Sequence, residues 1–520
     1  MECSEKVTYR AGQVSFFGSL RSPNLAPSQL VASPSGSAPW PTSPGGTWWI
    51  SNGRASRLTL FTGGVTDQPQ RYDLIIIGTG SGNAIPDYLD DWKIAIVERD
   101  VFGGTCINRG CVPSKMFVLP ADVAHEARHS ARLGLDVRVG GADWAAIRDR
   151  VFGRIDPISV DGREYRANGS PNITLIEATA RFVAPKLLDV ENRTITADHI
   201  LIAAGTRPTI PPIAGLVEIG FHTSDSIMRL ERLPERVGII GGGFIAAEMG
   251  HVFEAYGSKV SIFTRSQTML RMEDSEISER FTELFSKRVD LYPCQLPTRI
   301  ERRSSGIVIH CHDHEVEVDE LLVATGREPN SDLLDAEVGG VDLHHHGTIV
   351  VDEHLRTSAD GVWAIGDIAN DWHLKHVANE EAEVAFWNIA HPDEQRSINY
   401  KAVPSAVFSS PQVAAVGLTE QRAAALGREV AIGRRDYADT AYGWALADET
   451  SFAKGLVDPA TRLIVGAHII GPQASILIQP IVQAMQFDQT ADEVAHGQYW
   501  IHPAMGEVVE NALIDAVARI

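Results

Sequence analysis

The stretch YDLIIIGTGSGNAIPDYLDDWKIAIVE, Tyr72–Glu98, holds two short apolar runs joined by a glycine-rich turn. DLIIIG (Asp73–Gly78) and KIAIVE (Lys93–Glu98) have the length and β-branched content of buried strands. Gly78 permits a tight turn, and Gly80 lets backbone N–H groups approach a pyrophosphate. Glu98 lies twenty residues past Gly78 and ends the second run, where a carboxylate can accept hydrogen bonds from a ribose. The turn departs from G-x-G-x-x-G at its last place, where Asn83 stands, and Pro86 follows. A helix there must start in an unusual way.

The arrangement recurs. RVGIIGGG (Arg236–Gly243) and KVSIFTR (Lys259–Arg265) flank a second turn, GGGFIA, with alanine in the third place. A strand–turn–helix–strand unit fits both stretches and predicts two dinucleotide-binding α/β domains. In the second, Thr264 stands where an NAD site wants an acid, and Arg265 and Arg271 follow. Two guanidiniums can pair with a 2′-phosphate, so this unit reads as an NADPH site. Taken without the glycine turn, the same arginines are ordinary solvated charge.

Between the two units lies FGGTCINRGCVPSKM, Phe102–Met116. Only five cysteines occur in 520 residues, and two of them, Cys106 and Cys111, sit here. Pro113 suits a first helical turn, which places Cys111 at a helix N-terminus with Lys115 nearby. Both features lower a thiol pKa. An inert bridge or two core thiols remain alternatives for a CxxxxC taken alone.

FGGTCINRGCVPSK resembles the active-site segment of the class I flavoprotein disulfide reductases, and the likeness runs over most of Tyr72–Ile520. ATG (Ala324–Gly326), WAIGDIA (Trp363–Ala369) and HPAMGE (His502–Glu507) match other marks of that family. AAG (Ala203–Gly205) replaces a first ATG, and Ala504 replaces a threonine. Within the family, GTGSGN, the short first helix, CVPSKMFV and LKHVANEE (Leu374–Glu381) are most similar to the actinobacterial mycothione reductases. Lipoamide dehydrogenases usually use NAD, which Arg265 and Arg271 speak against. Mercuric reductases carry a C-terminal cysteine pair, and no cysteine follows Cys311 here.

The resemblance implies two Rossmann-like domains, for FAD and NADPH, and a C-terminal α+β dimerisation domain. The boundaries are 71–208 for FAD, 209–326 for NADPH, 327–400 completing the FAD domain, and 401–520 for the subunit interface. FAD would lie along Gly78, Gly80, Gly82, Glu98, Gly104 and Thr105, with Asp367 near its ribityl chain and Lys115 near its reactive edge. The NADPH side comprises Gly241, Gly243, Glu248, Arg265 and Arg271, with Glu248 pairing to Lys115. Electrons would pass from NADPH through FAD to a Cys106–Cys111 disulfide, and Cys106 would attack the substrate. His502, oriented by Glu507 and supplied by the other subunit of a homodimer, would provide the proton. The implied substrate is a small-molecule disulfide, namely that of mycothiol, whose reduction maintains the cellular thiol pool. Glutathione disulfide, lipoamide chemistry, and a non-catalytic scaffold or redox sensor are the competing readings. No metal ligand set is assigned.

Bulk properties narrow the rest. A formal charge of −21 argues against nucleic acid or anionic membrane as the main partner. No apolar run reaches the 18 residues a membrane span needs. Five scattered cysteines do not make a disulfide framework and fit a reducing compartment, the cytoplasm. Residues 1–70 hold 7 Pro, 11 Ser and 8 Gly with three acids, which predicts a disordered extension. An upstream translation start, with the true one near Val65, accounts for it better than a transit segment.

Overall fold

The computed structural model describes residues 68–191 and 193–520. The readings made for residues 1–67 lie outside the described residues. The first strand begins at Gln70, the last residue of the expected extension, because Gln70 and Arg71 pair with Ile195 and Thr196.

The first sheet has seven strands. Its parallel part runs Ile173–Glu177, Ile94–Glu98, Gln70–Ile77, Arg193–Ile202, and antiparallel strands Leu187–Val190 and Ala180–Ala184 extend it. Val362–Ala364 returns from far along the chain to pair in parallel with Arg193–Ile202. Leu74, Ile75 and Ile76 are all fully buried, as expected of strands covered on both faces. The second sheet has four parallel strands in the order 290–292, 259–263, 236–240, 320–323. The third, with five antiparallel strands, carries the last helix, Gly506–Val517, against its edge. There Gly433 lets the backbones meet, since a Cβ would lie 1.9 Å from the Ala512 carbonyl oxygen.

The expected strand–turn–helix–strand unit forms only once. After GGGFIA a 13-residue helix, Phe244–Tyr256, follows. After GTGSGN there is one 3-10 turn, Ser81–Asn83, then another at Asp87–Leu89, then the strand at Ile94. Pro86 blocks α-helix propagation, and ten residues between Gly82 and Lys93 leave no room for a helix and its return.

The cysteine segment forms a short helix, Gly104–Asn108, and then the long helix Cys111–Arg128. The long helix packs against Phe244–Tyr256 through Phe117, and Trp144 stacks on Phe253 at 5.6 Å. Burying one such phenylalanine contributes roughly 1.5–3 kcal/mol. The Tyr256 hydroxyl donates to the Phe117 carbonyl at 2.6 Å, which locks the two helices in register. This contact positions the cysteine pair beside the second glycine turn. Among the described residues no helix is long and apolar enough to cross a membrane.

Candidate active site

A cavity of about 1300 Å³ runs from the first glycine turn to the cysteine pair. Gly78, Gly80, Glu98, Cys106, Cys111 and Lys115 all line it. Gly104, Thr105 and Asp367 lie along it. A Cβ on Gly80 would meet nothing within 4 Å, so the turn's backbone stands open to the cavity. Glu98 is aimed by Thr79, whose N–H and hydroxyl donate to it at 2.9 and 2.6 Å. The Thr79 hydroxyl in turn accepts the Gly103 N–H at 2.9 Å, so turn, acid and cysteine segment form one unit. An open glycine turn, a fixed carboxylate and a thiol pair lining one cavity fit FAD.

Gly82 does not belong with these residues. It is buried, and a Cβ there would lie 2.8 Å from the Ala203 Cβ and 3.0 Å from Ile76 Cγ2. Its part is close packing against the strands, the service that the motif's third glycine normally performs. Asn83 is used differently again: its side-chain oxygen accepts from Arg166 Nε at 2.9 Å and its carbonyl from the same guanidinium at 3.0 Å.

Both thiols are free in this structure. The Cys106 thiol donates a hydrogen bond to Cys111, which lowers the Cys111 pKa to about 7. Burial opposes that shift, and the charges of Lys115 and Lys375 assist it. The same hydrogen bond, together with burial, pushes the Cys106 thiol up, and the two thiols titrate as a pair. Lys115 is gripped by both oxygens of Glu248 at 2.7 and 2.8 Å, and its ammonium lies 4.7 Å over the Phe408 ring. Glu248 is only 4 % exposed and also accepts the Phe408 N–H at 3.1 Å.

Two residues that sequence reasoning did not single out complete this site. Lys375, first in the helix Lys375–Ala390, lines the cavity and donates to Ser81 Oγ at 2.6 Å. Glu381, fully buried in the same helix, accepts the Gly366 N–H at 2.6 Å and the Asn370 amide at 2.9 Å. It thereby fixes the turn that carries Asp367. Both lie in LKHVANEE, which reads as family likeness until the fold sets it against Ser81 and Gly366.

The remaining predicted residues stand apart from the cavity. Thr264 is buried with its hydroxyl donating to the Ser266 carbonyl, while Arg265 and Arg271 are exposed. Neither arginine has an ion-pair partner among the described residues. Gly243 leaves open space where a Cβ would be, as Gly80 does. His502 Nδ1 pairs with Glu507 Oε1 at 2.7 Å, but its side chain is 71 % exposed and does not line the cavity. Tyr499 and Ile501 beside it are almost wholly exposed.

Comparison with known proteins agrees with this architecture. Residues 72–382 match the pyridine nucleotide-disulphide oxidoreductase family, and residues 403–513 match its dimerisation domain. Mycothione reductase of Mycobacterium tuberculosis is 46 % identical over 458 residues, covering 86 % of this chain and 99 % of that protein. Glutathione reductase of Burkholderia cepacia is 32 % identical over 452 residues, covering 85 % and 98 %. Among solved structures, the HOCl-induced flavoprotein disulfide reductase RclA from Escherichia coli superposes with a TM-score of 0.76 at 26 % identity, covering 85 % of this chain and 99 % of that one.

Proposed function

Since the chain belongs to the pyridine nucleotide-disulphide oxidoreductase family, with FAD and NADPH as its cofactors, we propose that it reduces mycothione, the disulfide of mycothiol. The observation that carries the chemistry is the Cys106–Cys111 thiol pair lining the cavity, the Cys106 thiol pushed up and the Cys111 thiol lowered. The identity of 46 % over nearly the full length of a mycothione reductase supports the substrate. We assign 71–208 and 327–400 to FAD, 209–326 to NADPH and 401–520 to the subunit interface. The return of Val362–Ala364 to the first sheet supports the discontinuous assignment. We place the enzyme in the cytoplasm.

When bound, FAD supplies the two-electron link between NADPH and the dithiol. Gly78, Gly80 and Glu98 would hold its nucleotide end, and Asp367, on the turn fixed by Glu381, its middle. Lys115, immobilised by Glu248, would stand at the redox end. Cys106 must lose its proton before it can attack, so the reaction needs a base. His502 is that base: an imidazole held by a carboxylate can take a proton and return it at neutral pH. The Cys106 sulfur then bonds to one sulfur of the substrate as the substrate S–S bond breaks, and the departing thiolate receives the proton from His502. The Cys111 thiolate next attacks Cys106, the mixed disulfide breaks, and the second thiolate takes a proton from solvent. A Cys106–Cys111 disulfide remains, and two electrons have passed to the substrate.

His502 is exposed and outside the cavity of its own chain, beside the exposed Tyr499 and Ile501. A second copy of this chain would bring its His502 to the thiols, so the active site is shared across a homodimer. Measuring NADPH oxidation with mycothiol disulfide, glutathione disulfide and lipoamide side by side tests the substrate. Preference for either of the latter two would overturn the mycothione assignment. Cys106→Ser and Cys111→Ser should abolish turnover with FAD retained, and His502→Ala should slow it roughly 10²-fold or more. Wild-type-like rates in any of the three would remove the mechanism.

A further inference from the structure

Two lysines, Lys115 and Lys375, line the cavity that holds the thiol pair. Lys115 lies on the cysteine helix and is held by both oxygens of Glu248. Lys375 enters from the helix Lys375–Ala390, whose own sequence neighbours are remote from the cysteines. Its ammonium is fixed in place: it donates to Ser81 Oγ at 2.6 Å, and Ser81 donates onward to Asn379 Oδ1 at 3.1 Å, one turn along the same helix. Ser81 is 8 % exposed, so this anchor is largely out of solvent.

We propose that Lys375 is a positioning residue of the dithiol: anchored on Ser81, its ammonium stabilises the thiolate that the Cys106–Cys111 pair forms when reduced. The groups facing the pair are then Lys115, already paired with Glu248, and Lys375, which also faces Asp367. The signs are consistent. The positive charge of Lys375 favours ionisation of both thiols. Burial lowers the lysine's own pKa, while the thiols and Asp367 raise it. A cation in a partly desolvated cavity acts on a nearby charge far more strongly than one in water. The serine anchor holds this flexible side chain at the first glycine turn, and that turn abuts the cysteine segment: the Gly103 N–H donates to the Thr79 hydroxyl at 2.9 Å, and a Cβ on Gly104 would lie 2.7 Å from Gly80 Cα.

This inference rests on the dithiol being the redox pair, and its test reads thiol acidity rather than turnover, so the two can fail separately. The reduced holoenzyme and its Lys375→Met, Lys375→Gln and Lys375→Arg variants are alkylated with iodoacetamide across pH. Modification of Cys106 and Cys111 is followed by mass spectrometry, and FAD content is measured on the same samples. In Met and Gln variants the alkylation midpoint should rise by about half to one unit, leaving about three- to tenfold less thiolate below it. Arginine should restore the midpoint. An unchanged midpoint in Lys375→Met and Lys375→Gln overturns the proposal, including the case where FAD is lost, which would make Lys375 a structural anchor alone. A midpoint that rises but is not restored by arginine also overturns it, because charge would then not be the cause.

Discussion

The chain contains the same glycine turn twice, and the two copies agree where they meet a strand and diverge where they should enter a helix. At both, the first glycine has a left-handed backbone, φ +100° at Gly78 and +135° at Gly241. At both, a Cβ would strike the carbonyl oxygen of an alanine ending a neighbouring strand, Ala203 at 2.4 Å and Ala324 at 2.1 Å. Those alanines open AAG and ATG, so the two small triplets serve as the seats on which the glycine turns rest. Beyond this point the second turn enters a 13-residue helix, and the first passes into two short 3-10 turns, Ser81–Asn83 and Asp87–Leu89. A long helix presents aligned N–H groups and a dipole to a phosphate, and short 3-10 turns do not. The cations hydrogen-bonded at the first turn are Lys375, on Ser81, and Arg166, on Asn83; Lys375 lines the cavity and Arg166 does not.

The glycines that face open space give the sharpest test of equivalence between the two units. Gly80→Val should fill part of the cavity without meeting any described atom within 4 Å of its Cβ. Flavin absorbance per chain should fall to near zero with the fold intact by circular dichroism, and all NADPH-dependent turnover should go with it. Full flavin content would break the assignment of this turn to FAD. Gly243→Val, the matching change, should leave flavin content unchanged and slow NADPH reduction of the flavin by roughly 10²-fold, about 3 kcal/mol of lost binding. Loss of FAD from the second variant would mean that the two turns do not serve separate ligands.

How far the sequence revealed this architecture follows from where each signal resides. The strands, both glycine turns and the cysteine pair are local patterns, and they stand where the sequence predicts them. The absent helix was only half legible. Asn83 and Pro86 announce an irregular start, but whether the chain recovers into a helix depends on the distance to Lys93 and on packing against Ala203. Lys375 could not be read locally, because Ser81 lies 294 residues before it. Glu381 likewise acts on Gly366, fifteen residues earlier and across a turn. His502 shows the limit from the other side: its motif is plain, yet among the described residues of its own chain its ring pairs with Glu507 alone.

Smaller effects should separate the two units further. Arg265 and Arg271 are exposed, without ion-pair partners among the described residues, beside the second turn. Each charged hydrogen bond to a 2′-phosphate is worth about 1.5–3 kcal/mol. Arg265→Ala and Arg271→Ala should therefore each raise the KM for NADPH by about tenfold or more, with kcat and the KM for NADH little changed. An equal effect on NADH would show that the arginines act on the fold rather than on the phosphate.

The smallest change tests what replaced the missing helix. Asn83 occupies the third position of the motif and accepts Arg166 through its side chain and its carbonyl. Arg166 is half-buried, and burial lowers its pKa, so the guanidinium depends on these acceptors for the solvation it has lost. Asn83→Ala removes one acceptor and leaves the carbonyl, at a cost of about 1–2 kcal/mol for a charged hydrogen bond partly replaced by water. With saturating FAD present, thermal unfolding should move down by about 2 °C or less, while the KM for NADPH stays fixed. Asn83→Gly restores the motif's usual residue but not the acceptor. If the glycine variant melts as the wild type does, the Arg166 contact is incidental, and the Ser81–Asn83 turn is held by Gly82 packing alone. If it melts below the alanine variant, the asparagine both accepts the guanidinium and stiffens the turn, since glycine adds only freedom to the unfolded chain.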